Sequence, residues 1–245
     1  MLRPFSLVAL LLAIGSALAE QTVDVRHHDW TLPTSEGTLA LDNRNGDVRI
    51  RVVDQSQPQI LATAQYPSTD TADIAPKINN NEGEIAVTVA AEALLRVDLV
   101  VLVPADLKLI ITTVAGRVIA KGLQSPIEVN ATNQLVRIFS DSDVTVATRS
   151  GPVDIAIGEA PAKINVTTRH GLVQLELPTS TLGVDLTTAG DVLSDSPSML
   201  SRLEHDGNRR FSPDQEPTIR VHSETGNVLL LADPSRHPLR LRDQF

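Results

Sequence analysis

VTVATRSGPVDIAI (144–157) and INVTTRHGLVQLEL (164–177) are the two stretches whose reading decides the fold. Each holds two short runs of alternating residues around a small, polar turn containing Gly. After Gly151, Val153, Ile155 and Ile157 alternate with Asp154 and Ala156. After Gly171, Val173, Leu175 and Leu177 alternate with Gln174 and Glu176. Before that turn, Ile164 and Val166 alternate with Asn165 and Thr167. Period-2 alternation puts one face of a strand in a core and the other in water. The β-branched residues suit a pleated, half-buried surface. Gly at the turn is expected to supply a positive φ.

The same phrase recurs as LKLIITTVAGRVIA at 107–120 and VDLTTAGDVLS at 184–194. Its glycines, Gly116, Gly151, Gly171 and Gly190, are 35, 20 and 19 residues apart. A degenerate copy, IEVNATNQLVRIFS at 127–140, carries Gln134 near the Gly position and splits the 35 into 18 and 17. A period this steady over five copies marks a repeat architecture. Two builds accommodate it. In a β-solenoid each copy is a coil stacked ~4.8 Å from the last. In an antiparallel β-sandwich each turn closes a hairpin. The near-constant period favours the solenoid, because sandwich strands have no reason to keep it.

Working outward, residues 1–19 read as a secretory signal. Arg3 is the charged end, Leu7 to Ile14 the apolar core, and Ala17-Leu18-Ala19 a small-x-small cleavage site. That run is too short to span a bilayer, and the longest later candidate, Leu94 to Val103, is broken by Arg96 and Asp98. The expected mature chain is exported, to the periplasm or the cell surface, with no membrane span. It carries 20 basic against 30 acidic residues, a net charge of −10, which argues against nucleic acid as a partner. With no cysteine there is no disulfide framework, thiol nucleophile or Cys-ligated metal. Aromatics at 2% leave few platforms for stacking sugar rings.

The stretch 20–106 reads as an N-terminal β cap with the first coils. TVDVRHHDW opens it, with Val23 and Val25 on one face. GTLALDNRNGDVRIRVVD (37–54) repeats the phrase, with Gly46 at an Asn-Gly turn. Residues 66–82 read as a loop; 85–90 and 95–105 read as strands. Gly46 and Gly116 are 70 residues apart, which breaks the short period. The solenoid proper is expected over 107–232, interrupted by a polar insertion at 195–217 with a helical turn around Met199–Leu203. The phrase returns as TIRVHSETGNVLLLA (218–232) around Gly226. Residues 233–245 form a basic tail.

LALDNRNGDVRI, then VDLVVLVPADLKLIITTVAGRV, then the serial T-x-x-G-x-V units resemble the DUF4097-type putative adhesin family of exported bacterial proteins. The resemblance spans about 37–230. It implies a right-handed parallel β-helix, and it brings no catalytic motif, cofactor or metal to transfer.

Candidate chemistry is sparse. His27, His28 and Asp29 could ligate a metal, but adjacent strand residues point to opposite faces, so no metal site is expected there. Arg169-His170 sits at a corner where other copies carry Val114-Ala115, Arg149-Ser150 or Glu224-Thr225. That variation fits an exposed corner better than an ordered site. Asp154, Glu176 and Asp185 could stack as outward carboxylates, as in β-helix polysaccharide lyases and hydrolases, although paired carboxylates need a defined separation. The expectation is a non-enzymatic envelope scaffold or interaction protein, with an envelope protein or surface glycan as partner and no cofactor. The alternatives are a β-helix carbohydrate-active enzyme and a periplasmic stress or sensor accessory protein. Three or more charged side chains converging in one groove would keep the enzyme reading; a uniformly Thr/Asn-lined face would end it. The assigned residues are structural turn glycines: Gly46, Gly116, Gly151, Gly171, Gly190 and Gly226.

Overall fold

The computed structural model describes residues 23–33, 37–67, 74–81, 84–89, 96–158, 162–177, 183–196, 208–211 and 219–232. The segment expected as a signal, the helical turn expected near Met199 and the expected tail lie outside them. All described regular structure is β, in two ten-stranded sheets.

Each coil places one strand in each sheet, with a sharp corner between. The central coils are β8 (Lys108–Ala115) with β9 (Val118–Leu123), β10 (Ile127–Ala131) with β11 (Val136–Ser140), β12 (Val144–Thr148) with β13 (Val153–Ile157), and β14 (Ile164–Thr168) with β15 (Val173–Glu176). The odd-numbered partners lie side by side in sheet I and the even-numbered in sheet II, and every neighbouring pair among them is parallel. The molecule is therefore a parallel β-helix, and the sandwich of hairpins is excluded for this region.

The alternation seen in the sequence becomes columns. In sheet II, Leu109, Ile127, Val144 and Ile164 stack inward, and Ile111, Val129, Val146 and Val166 form the next column. In sheet I the residue two after each corner is Val118, Val136, Val153 or Val173, all buried. A β-branched side chain every ~4.8 Å fills a narrow interior without aromatics.

Towards the ends the spatial order departs from the chain order. The first coil, β2 (Thr38–Asn45) with β3 (Val48–Val52), lies directly against β8 and β9. Its other side carries β6 (Glu84–Val89) and β7 (Arg96–Val103), both parallel to it. The 70 residues between Gly46 and Gly116 thus break the period in sequence and not in space. At the far end the last coil, β19 (Ile219–Ser223) with β20 (Val228–Leu231), inserts between β14/β15 and the earlier coil of β16 (Val184–Thr188) and β17 (Val192–Ser194). β17 has three residues, and its Ser194 stands opposite Leu230. This short strand takes an edge of sheet I, where one ladder and one core neighbour are absent.

Antiparallel strands close both ends. β4 (Gln59–Pro67) pairs β7, and β1 (Val23–Thr31) pairs β4, while β5 (Lys77–Asn81) pairs β6. The stretch 66–82, expected as a loop, therefore contains a strand; Asn-rich KINNN lacks the alternation that would have announced it. At the other end β18 (Asn208–Phe211), inside the 195–217 insertion, runs antiparallel to β16.

Candidate functional site

The corners come first, because they position everything outside the core. The N–H of the Val after each corner donates to a corner carbonyl of the next coil at 2.8 to 3.0 Å: Val48 to Arg117, Val118 to Leu135, Val136 to Pro152, Val153 to Leu172, Val173 to Asn227 and Val228 to Asp191. The corners are thereby held in one register along the stack.

The six assigned glycines line up along this ladder. Gly46 and Gly171 have φ of 132° and 130°, whereas Gly116, Gly151, Gly190 and Gly226 are not in the positive-φ region. Clearance is the shared requirement. A Cβ on Gly116 would overlap the carbonyl of Gly46, one on Gly151 that of Gln134, one on Gly226 that of Gly171, and one on Gly190 that of Gly226. The expected positive φ thus holds at two corners, and at the others backbone stacks on backbone too closely for a side chain.

The inward Thr or Ser before the Gly serves the corner in most copies, the exception being Thr113, whose Oγ1 is buried with no hydrogen-bond partner. Gly226 N–H donates to Ser223 Oγ at 2.8 Å and Gly151 N–H to Thr148 Oγ1 at 3.4 Å. Thr168 Oγ1 donates to His170 O at 3.1 Å. At Gly46 the same place is held by Asn43, whose Nδ2 donates to Gly46 O and Val97 O. A short polar side chain that satisfies its own turn has this sequence signature.

With the corners in register, outward residues from different coils form a shallow groove of about 710 Å³ on sheet II. Its floor is Thr112, Asn130, Ala147, Thr167 and His222, one from each of five adjacent strands. Its wall is the corner column, including Arg149, Arg169 and Glu224. Arg169 Nε lies 3.4 Å from Glu224 Oε1, both side chains more than half exposed. The corner residues behind them are tied across coils, Ser150 Oγ to Asn133 Oδ1 at 2.7 Å and His170 Nδ1 to Thr225 Oγ1 at 2.7 Å. The groove offers small hydrogen-bonding groups at the strand spacing, with guanidinium groups on one rim. That suits an extended polar ligand lying across the strands. In the sequence the corner residues read singly, as variable fill; their shared offset from each Gly is the signal that gathers them. His222 had no such mark.

The other candidates disperse. His27 faces outward and lies 3.2 Å from Thr63 Oγ1, while His28 faces the other way and stacks on Trp30 at 5.5 Å. Asp29 accepts from Gln59 Nε2 at 2.8 Å. Asp154 pairs with Arg137 at 2.7 Å on sheet I, where Glu176 also lies; Asp185 is on sheet II. Those three acids do not share a site. Among the described residues no three metal-ligating side chains converge. Trp30 and Tyr66 sit at the N-terminal end, where the Arg26 guanidinium covers the Tyr66 ring at 4.2 Å.

The strongest electrostatic node is structural. Asp47, with its side chain 5% exposed, follows Gly46 at a corner and bridges three coils. It accepts from Arg117 N–H at 3.0 Å, Arg117 Nε at 2.9 Å and Nη2 at 2.5 Å, and from Arg96 Nη2 at 3.0 Å. Burial pushes its carboxyl up, but the Arg117 hydrogen bonds and the charges of Arg117 and Arg96 outweigh that and hold it below the usual carboxylate range.

Among solved structures, the chain is similar to a putative cell adhesion protein from Clostridium sporogenes, with a TM-score of 0.49 and 13% identity over 86% of this chain and 100% of that one. It is also similar to a putative adhesin from Bacteroides fragilis, with a TM-score of 0.37 and 10% identity over 86% of this chain and 97% of that one. These scores carry no functional assignment. No protein family and no curated protein matches the chain.

Proposed function

We propose that this protein is a non-enzymatic, exported β-solenoid that acts as an adhesin-like scaffold or interaction protein of the bacterial cell envelope. Its groove on sheet II holds an envelope protein or a surface glycan. The observation that supports this most is the groove itself: a rigid, register-locked floor of Thr, Asn, Ala and His with a guanidinium rim, on a framework whose ladder bonds leave little to rearrange. Preorganised polar groups bind without an ordering cost. The signal-like pattern of residues 1–19 supports export, and no helix among the described residues is long and apolar enough to cross a membrane.

Binding of the purified chain from residue 20 onward to cells, envelope fractions and a glycan array is the test. Retention that Arg149→Glu or Thr167→Arg abolishes supports the groove. Failure to bind any of the three removes the adhesion reading.

One observation favours a second reading. The groove is not uniformly lined by Thr and Asn, since Arg149, Arg169 and Glu224 gather there with His222, which meets the count that keeps a carbohydrate-active enzyme open. Its single carboxylate is already paired with Arg169, whereas hydrolysis by two carboxylates needs a second one at a set distance. Turnover of envelope polysaccharides, lost in Glu224→Gln or His222→Ala, would establish that reading.

A further inference from the structure

The outer face of sheet I is organised differently from the groove face. Two rows of outward side chains cross it at right angles to the strands. The first row runs Val100, Arg49, Ile119, Arg137, Asp154, Gln174, Leu229, Leu193. The second runs Leu102, Arg51, Lys121, Phe139, Ala156, Glu176. Over the eight strands from β7 to β17 the sign of charge in these rows changes once, between β11 and β13; beyond β7 the first row continues through Leu61 of β4 to Asp29 of β1, outside the eight strands that the contact uses. Arg49, Arg51, Lys121 and Arg137 lie on one side of that line, and Asp154 and Glu176 on the other. Large apolar side chains are left in water on the same face, with Phe139 48% and Leu193 54% exposed.

We propose that this face packs against the same face of a second copy of the chain, about a twofold axis that runs parallel to the strands between β11 and β13. A rotation about that axis keeps each row in place and reflects it across the line. Arg137 then meets the second copy's Asp154, and Lys121 meets its Glu176. Phe139, the largest side chain of the rows, meets Ala156, the smallest. Val100 meets Leu193, and the stem of Arg49 covers Leu229. No like charges are opposed. The existing Arg137–Asp154 pair meets its own copy reversed, giving a closed ring of two cations and two anions. An isologous contact requires this kind of self-complementarity.

The area is adequate. Eight strands at ~4.8 Å by five residues at ~3.3 Å present roughly 600 Å² per copy. The total, about 1,200 Å², is at the lower end of specific interfaces. The sheet II groove stays open on both outer surfaces of the pair, so this inference does not depend on what the groove binds.

Sedimentation velocity of the chain from residue 20 onward tests the proposal, with circular dichroism to verify folding of each variant. The expected result is a reversible dimer at about 100 µM, weakened at least about tenfold by Lys121→Glu or by Glu176→Lys, because each reversal opposes like charges twice. The combined swap Lys121→Glu with Glu176→Lys should restore the dimer. A monomer at that concentration overturns the proposal, as does a dimer indifferent to either folded single variant, or a swap that fails to restore. A monomer whose Arg49 and Arg51 half instead retains anionic vesicles or heparin overturns it in favour of a polyanionic partner.

Discussion

A glycine at a corner of this molecule works mainly by being absent beyond Cα. At Gly116 the φ is ordinary, yet a methyl group would run into the Gly46 carbonyl of the neighbouring coil. Gly122 is the reverse case: its φ is +71° and nothing lies within 4 Å of an added Cβ. It marks a bulge, where the β9–β11 register shifts. Gly116→Ala should therefore cost about 2–3 kcal/mol by forcing backbone apart, and Gly122→Ala about 1 kcal/mol of conformational strain. Chemical denaturation of both variants checks the order, and a larger loss at Gly122 would show that conformation, not clearance, sets the corners. Asp47 gives a second residue-scale prediction. Its folded-state pKa is depressed, so its contribution is fully present above the unfolded value of about 4 and is lost as pH falls through the folded value. The Arg96 and Arg117 side chains are 37% and 47% exposed, which screens the pair. Asp47→Asn should cost about 2 kcal/mol at neutral pH, less than a fully buried pair. The gap between variant and parent should close as the medium is acidified below pH about 4. An equal gap at both pH values would mean that packing, and not charge, is what the substitution removes.

The corner is also where the repeat explains its own exception. The copy at 127–140 lacks Gly, having Gln134 instead, and it lacks the inward hydroxyl too, having Ala131 where its neighbours in the column have Thr113 and Thr148. The two losses belong together if the hydroxyl's task is the one it has at Thr148, which accepts from the Gly151 N–H, and not the unpartnered state of Thr113 Oγ1. Ala131→Thr should restore that service to the Gln134 N–H, adding about 0.5–1 kcal/mol and raising Tm by a few degrees, about 2–4 °C. A lower Tm would show that this corner has a shape no hydroxyl fits. The strands of 107–192 were legible in the sequence because most inward slots are filled by Val, Ile or Leu and the next copy repeats them. β4 was not, because its buried face is Ile60, Ala62, Ala64 and Tyr66, and Ala between polar residues gives no apolar contrast. The groove was illegible for another reason: its members come from five coils, and only their common distance from a corner relates them.

At the scale of the whole molecule, the order of coils was the least legible feature. All coils carry the same inward pattern, so each fits beside any other, and periodicity cannot say which neighbours meet. The outcome is decided at the ends. A coil inserted between two others satisfies both ladders and covers both faces of its core residues, so the coil of β19 and β20, with Ile219, Val221, Val228, Leu230 and Leu231 buried, takes the inner place, and that of β16 and β17, with Val184, Leu186 and Val192 buried, the outer one. This changes what truncation does. In a solenoid stacked in chain order, removing the last coil would peel one unit from the end and leave the rest intact. Here, ending the chain after residue 196 removes β19 and β20 from between β14/β15 and β16/β17, and with them the hydrogen-bond partners of Val184–Thr188 and Val192–Ser194. Amide hydrogen exchange should therefore show protection lost throughout 184–194 while 108–157 stays protected, since local stability follows local contacts. Retained protection at 184–194 would mean that β16 and β17 can close directly onto β14 and β15. The last coil would then be an addition to the stack, not a wedge that completes it.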